Sequence, residues 1–287
     1  MSSAAARLRS VLYMPGANER ALEKARELPA DGLILDLEDA AAPAAKAEAR
    51  VRVCEATASR AYGERVVTIR VNGLGTEWHD ADVAAAAAAG PHAILVPKVG
   101  SADDVLTVVR ALERAGASAE IQIWAMLETP AAVLHAAEIA AACRRLSTLV
   151  MGTNDLLNEL RAEATQGRGS LQASLALCLL AARAEGRTIL DGVYNDVRDA
   201  EGFEDECVEG RRLGFDGKTL IHPGQIEICN RVFSPSAQEV EHARRVIEAF
   251  EKAGRDGSGV ATLDGRLIEN LHVDSARRVL GMAGAST

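Results

Sequence analysis

Short apolar runs rich in β-branched residues return along this chain roughly every 25–30 residues, each followed by a stretch of helical character, and no other feature restricts its fold so much. SVLYMP (10–15), GLILDLED (32–39), RVVTIRVNG (65–73), HAILVPKVG (92–100), EIQIWAMLETP (120–130), LSTLVM (146–151), RTILDGVYND (187–196) and GFDGKTLIH (214–222) read as successive strands. Between them lie helical segments with recognisable starts. Asn18 caps 19–28, Ser101 opens 101–116 with acids in its first turn, and Thr129-Pro130 is a helix-start pair. A helix is also expected from Pro43 to about Ala61, over 78–90, 170–185 and 198–213, with 161–169 (RAEATQGRG) a loop or lid. Eight such units without a Gly-rich dinucleotide fingerprint favour an α/β fold closed as a (β/α)8 TIM barrel over an open doubly wound sheet.

The last fifth breaks this rhythm. Residues 235–254 read as an amphipathic helix, 257–270 as a hairpin around Asp264-Gly265, and 272–284 as a terminal helix. The expected organisation is a catalytic barrel over 1–233 and a C-terminal helix-hairpin-helix extension over 234–287, packed on its own barrel or on a neighbouring subunit.

Composition narrows the partners. A hydrophobic share of 48% against 25% charged residues is that of a soluble chain able to bury a core. A net charge of −9 with only 3% aromatics speaks against nucleic acid, because phosphate contacts need clustered cations and bases need aromatic platforms. The five cysteines are scattered, with no CxxC pair, which disfavours zinc and suggests a reducing, cytoplasmic setting. No apolar run reaches membrane-spanning length, and residues 1–9 lack the apolar core of a signal peptide.

The chemistry is expected at strand ends. Glu128 closes the fifth strand, Asp155 follows the sixth, and Asp36, Glu38 and Asp39 close the second, so three acidic strand ends aim at one face. Glu128 and Asp155 could simply stabilise the helices that follow them. As two acids on successive barrel strands they need a cation, and an all-oxygen set suits Mg2+, with Mn2+ as a substitute. Asp36 and Glu38 share one side of their strand and need partners, for which Arg70 and Lys98 are available. An ion-pair layer and direct catalysis are equally open for them. Arg70 could clamp a carboxylate or stabilise an enolate oxygen. His222 before Pro223 reads as a helix start, and no GxSxG elbow or phosphate loop is present.

The segments RSVLYMPG, LILDLEDA with Lys46 and Arg50, RVNG, LVPKV, MLETP, GTNDL, GFDGKTLIHPGQI and GVATLDGRLIE resemble, in order and over nearly the whole chain, the citrate lyase β-subunit-like family of the HpcH/HpaI aldolase superfamily. The resemblance implies a Mg2+-dependent barrel, homotrimeric or hexameric, that makes or breaks C–C bonds in CoA thioesters. It assigns the metal to Glu128 and Asp155, the reacting thioester to Arg70, and CoA contact to Lys24. Relatives commonly carry an Arg two residues after the Pro-Gly, whereas Ala17 and Asn18 stand there in this chain and Arg20 lies further on. A family Asp that enters the neighbouring subunit's site as acid/base is matched by Glu269, whose arm is one methylene longer.

The wording of GTNDLL and LIENLH is similar to the malyl-CoA branch, which includes a group that hydrolyses malyl-CoA. The first expectation is a lyase cleaving a malyl-CoA-type 3-hydroxyacyl-CoA through an acetyl-CoA enolate, with Arg70, Glu269 and Asp36 as catalytic residues. The alternatives are a (3S)-malyl-CoA thioesterase on the same site, a citrate lyase β-type subunit that needs a carrier-bound substrate, and, more weakly, an aldolase acting on free acids.

Overall fold

The computed structural model describes residues 7–255 and 260–284. The chain divides into two compact units, Met1–Asn230 and Arg231–Thr287.

The first unit is a closed barrel of eight parallel strands in sequential order. The strands are β1 (Ser10–Pro15), β2 (Gly32–Asp36), β3 (Val66–Arg70), β4 (Ala93–Val96), β5 (Gln122–Leu127), β6 (Leu146–Met151), β7 (Thr188–Asp191) and β8 (Gly217–Leu220). The crossovers carry α1 (Glu19–Lys24), α2 (Lys46–Ala58), α3 (His79–Ala89), α4 (Ala102–Arg114), α5 (Pro130–Leu134), α6 (Ala136–Ala141), α7 (Thr153–Leu160), α8 (Gln172–Ala184) and α9 (Ala200–Leu213). A final helix, α10 (Ile226–Val232), contains the boundary between the units. The expected caps are present, with Asn18 Oδ1 accepting the Ala21 N–H and Ser101 Oγ that of Asp104.

Strand alternation builds two shells. Val11, Ile34, Leu95, Trp124, Met126, Val150 and Leu190 share one cluster, with Tyr13 and Val66 packed against it, and fill the barrel's interior. Their neighbours Leu33, Leu35, Ile94, Ile123, Ala125, Leu149 and Ile189 are buried on the other face, toward the helices.

Several strands stop short of the expected bounds, and side-chain chemistry at the barrel mouth is the reason. Strand β2 ends at Asp36 because its carboxylate takes the N–H groups of Glu38 and Ala40, which turns the chain out of the ladder. Strand β3 ends at Arg70, since Asp82 captures the Asn72 N–H. Strand β4 ends before Pro97, which has no N–H, and Lys98 adopts a left-handed conformation at φ 54°. Strand β8 ends before His222, whose side chain instead accepts the Gly224 N–H at the start of the next turn. The Pro43 segment opens with a 3-10 turn, so α2 begins at Lys46 rather than at the proline.

The second unit has its own core. Helix α11 (Ala237–Arg255), strands β9 (Ala261–Leu263) and β10 (Arg266–Ile268), and helix α12 (Asn270–Ala283) pack Ala243, Val246, Ala261, Ile268, Val273, Ala276 and Leu280 together. The hairpin turns at Asp264 and Gly265, both at positive φ, as the Asp-Gly pair requires. Residues 257–259 of the expected hairpin lie outside the described residues.

The seam that closes the barrel leaves no room at Gly217, where a Cβ would stand 1.8 Å from the Leu8 carbonyl oxygen. Gly217→Ala is therefore expected to cost about 1–3 kcal/mol by forcing β8 away from the segment leading into β1. A urea midpoint equal to that of the unmodified protein would show that the seam has slack.

Candidate active site

The strands' carboxyl ends open into a cavity of about 370 Å³. Glu128, Asp155, Asp36, Asp39, Arg70 and Tyr13 line it together with an apolar wall that includes Met126, Met151, Val193 and Ile221. A larger cavity of about 680 Å³ lies at the strands' opposite ends around Trp124; its charged lining residues, Arg60 and Glu120, form no ion pair with each other, and it holds no pair of acids. Chemistry rather than volume selects the smaller one.

Glu128 stands just past β5 and is only 2% exposed. It does not cap α5, because Thr129 Oγ1 accepts the Ala132 N–H there. Instead its Oε1 accepts the Lys98 N–H at 2.7 Å, and the left-handed turn at Lys98 is what aims that N–H. Gly152 at the end of β6 presses against it, for a Cβ there would meet Glu128 Cβ at 2.3 Å and Oε2 at 2.5 Å. Asp155 sits in the first turn of α7, a favourable place for an acid, yet no side chain caps that helix. Among the described residues no donor reaches Asp155 or the second oxygen of Glu128. Burial first, and the Asp155 charge next, lift the Glu128 carboxyl to about 8.

The third acidic strand end is occupied differently. Arg70 grips Asp36 through Nε–Oδ1 (2.6 Å) and Nη2–Oδ2 (2.7 Å), while its Nη1 reaches Glu38 Oε2 (2.7 Å) and Asp39 Oδ2 (3.3 Å). Three of the guanidinium's five N–H donors are thus hydrogen-bonded, to Asp36 twice and to Asp39 once, Glu38 adds an ion pair to Nη1, and an Nη2 hydrogen is left for a ligand. Each Asp36 oxygen also accepts a backbone N–H, so that carboxylate is saturated. The Tyr13 ring lies 5.0 Å from the Arg70 guanidinium carbon. Lys98 Nζ approaches Glu38 Oε1 at 3.6 Å.

Asp36 and Glu38 therefore pair with Arg70, and Glu38 also with Lys98, the partners available to them in the sequence, which leaves Glu128 and Asp155 as the acids without a cationic partner of their own among the described residues. Among the described residues no group of three or more His, Cys, Asp or Glu side chains is arranged to hold a metal. A pair of carboxylates is nevertheless what Mg2+ commonly takes from a protein, with water and substrate oxygens filling the rest of its shell. The excess of carboxylates over cations and the unpaired oxygens of Glu128 and Asp155 fit such an ion.

Arg20 and Lys24 are exposed on α1, beyond the mouth end of β1, and form no ion pair among the described residues. Glu269 belongs to the second unit, where it is exposed at the N-cap of α12 with its N–H donated to His272 Nδ1 (3.0 Å). Sequence reasoning did not anticipate Tyr13, although its alternation with Val11 already placed it on an inward face. It also missed the reciprocal amide pair Asn154–Asn195, which joins the first turn of α7 to the loop after β7 at 3.1 and 2.8 Å. No local pattern announces such a pair.

A parallel barrel with paired acids and an anchored arginine at its carboxyl-end mouth has the layout of a barrel enzyme's active site. The HpcH/HpaI aldolase/citrate lyase family profile matches residues 9–223, and the chain belongs to that family. It is 54% identical over 278 residues to a (3S)-malyl-CoA thioesterase of Cereibacter sphaeroides strain KD131, covering 96% of this chain and 95% of the relative. It is 36% identical over 283 residues to the citrate lyase subunit beta of Escherichia coli K12, covering 97% of this chain and 94% of the relative. Among solved structures it resembles CitE of Mycobacterium tuberculosis in complex with magnesium, acetoacetate and coenzyme A, with a TM-score of 0.79 and 29% identity. That match covers 98% of this chain and all of CitE. No described helix is long and apolar enough to cross a membrane.

The raised Glu128 carboxyl has a consequence for stability. Folding favours its protonated form, so metal-free stability falls as pH climbs from the ordinary carboxylate range to about 8 and then levels. Glu128→Gln, which keeps the acceptor for the Lys98 N–H, is expected to raise the metal-free Tm at pH 8.5 by at least about 2–4 °C. The gain should shrink toward pH 5. An equal Tm difference at both pH values would show that the carboxylate is not penalised.

Proposed function

We propose that this protein is a CoA thioester hydrolase acting on a malyl-CoA-type 3-hydroxyacyl-CoA, releasing the hydroxy acid and free CoA. The observation that carries this reading is the match of more than half of all positions, over nearly the full chain, with (3S)-malyl-CoA thioesterases. It reverses the order expected from sequence motifs, where the C–C lyase came first. The citrate lyase β relatives, at 36% identity, keep that lyase as the second reading.

Glu128 and Asp155 are the residues that would hold Mg2+, which supplies positive charge for the substrate's carboxylate and hydroxyl oxygens. Arg70, held rigid by Asp36 and Glu38 and stacked on Tyr13, directs its remaining Nη2 hydrogen at the thioester oxygen as negative charge develops there. Tyr13 and Arg70 are pinned before substrate arrives, so no reorganisation is needed at that moment. Water adds to the thioester carbon, the C–S bond breaks, and the thiolate leaves with the proton that water gave up. Glu269, delivered by a second copy of the chain in a homo-oligomer, is the carboxylate assigned to take that proton from water. In a lyase the same carboxylate would return a proton to the enolate carbon. Arg20 and Lys24 offer cationic contacts for the phosphates of CoA.

With (3S)-malyl-CoA and Mg2+, the expected products are malate and free CoA in equal amounts, with no glyoxylate. Glyoxylate appearing in step with acetyl-CoA would establish the lyase instead. Asp155→Asn and Arg70→Met are each expected to lower kcat by about 10²- to 10³-fold. Chelation should abolish turnover and added Mg2+ restore it, whereas full activity in excess chelator would rule out the metal.

A further inference from the structure

Behind β7 and β8, outside the cavity, lies a buried charge cluster that the reaction does not use. Its unusual member is Arg168, which comes from the segment joining α7 to α8. That segment is otherwise mostly exposed, yet Arg168 is 7% exposed and its backbone is left-handed at φ 50°. A non-glycine residue in that conformation is held there by its surroundings. Its Nη1 spans both oxygens of Asp191 (2.7 and 2.9 Å) and its Nε reaches Glu209 (3.0 Å) on α9. Lys218 on β8, wholly buried, meets Asp191 (3.3 Å) and Glu206 (2.7 Å).

The cluster closes on one residue, Gly192. Its N–H donates to Asp191 Oδ1 (2.8 Å), and its carbonyl oxygen accepts from Lys218 Nζ. Both backbone groups of Gly192 are thus fixed. Its α-carbon in turn abuts Thr153, since a Cβ at Gly192 would lie 2.3 Å from Thr153 Oγ1 and 2.5 Å from Cγ2. Thr153 begins α7, the helix whose first turn carries Asp155, and it follows Gly152, which is pressed against Glu128. From Arg168 to the two carboxylates runs a series of contacts with no slack.

We propose that Arg168 is a positioning residue for the metal pair. Through Asp191, Gly192 and Thr153 it sets where Asp155 stands relative to Glu128. The α7–α8 segment therefore acts as a peg driven into the barrel wall, and the sequence-based view of 161–169 as a loop or lid omits this anchoring role. Outer partners that orient metal ligands commonly govern affinity for the ion. This inference rests on the metal reading above and adds to it the residue that tunes the affinity.

The test measures Mg2+ binding without substrate, as the rise of Tm with Mg2+ concentration, alongside kcat over the same range. Arg168→Met is expected to weaken Mg2+ binding by about 10- to 100-fold. Arg168→Lys, which keeps a cation against Asp191 but loses the fork, should fall between it and the unmodified protein. Turnover should be largely restored at saturating Mg2+, a pattern that general destabilisation would not give. If Arg168→Met does not fold, Gly192→Ala carries the test, because its methyl group presses on Thr153 while Arg168, Asp191 and Lys218 keep their side chains. A lowered Tm with Mg2+ affinity unchanged in the folded variants overturns the inference and leaves the metal reading standing. A parent protein whose Tm does not respond to Mg2+ at all overturns both.

Discussion

Two carboxylates facing the same space, neither with an ion-pair partner among the described residues, are the constraint around which this barrel mouth is arranged. Leaving Glu128 and Asp155 together costs stability, since burial and mutual repulsion both oppose ionisation. The fold spends further strain to keep them there. Lys98 takes a left-handed backbone to aim its N–H at Glu128, and Gly152 and Gly192 give up side chains so that neighbouring segments can touch. All of these choices make sense if a cation binds between the two acids.

The Asp36–Arg70 pair answers the opposite problem. A guanidinium inside a barrel mouth must be neutralised to be buried, yet must keep a donor for the substrate. Two-point contact with Asp36, a third partner in Glu38 and the face of Tyr13 fix the head group while one N–H stays uncommitted. Because Asp36 is itself held by two backbone N–H groups, the arginine cannot pull it aside. The same turn that ends β2 therefore orients the residue that ends β3.

Much of this was legible in the sequence, and the part that was not has a common cause. Strand order, the barrel and the acidic strand ends follow from periodicity, because alternation fixes which face a residue takes. Asp36 and Glu38 on one side with Arg70 as partner followed from the same rule. Periodicity does not record where a strand stops: β2, β3 and β8 stop early because Asp36, Asp82 and His222 capture N–H groups near the strand ends, and β4 because Pro97 has none to give. Nor does it show that Asp36 is saturated while Asp155 is bare, which is the difference between an ion-pair acid and a metal-ligand candidate. Arg168, Asp191 and Lys218 were beyond reach for another reason. They lie in three separate segments, and only the closed barrel brings them onto Gly192.

The charge distribution also constrains how an anionic CoA ester can use this site. Asp36, Glu38, Asp39, Glu128 and Asp155 outnumber Arg70 and Lys98 at the mouth, and the chain as a whole carries a net charge of −9. A substrate with its own carboxylate would be repelled by such a mouth. Occupation of the Glu128–Asp155 pair by a divalent cation would remove most of that excess and leave the free Nη2 hydrogen of Arg70 as a donor for the substrate. On the proposed reading, then, the ion comes before the substrate, and the negative mouth becomes a filter that admits the acyl group only once the ion is in place. Hydrolase and lyase chemistry would share this requirement, since both would begin from the same hydroxyacyl thioester. They would part only at the thioester, where either water or the neighbouring carbon–carbon bond answers to the charge that Arg70 stabilises.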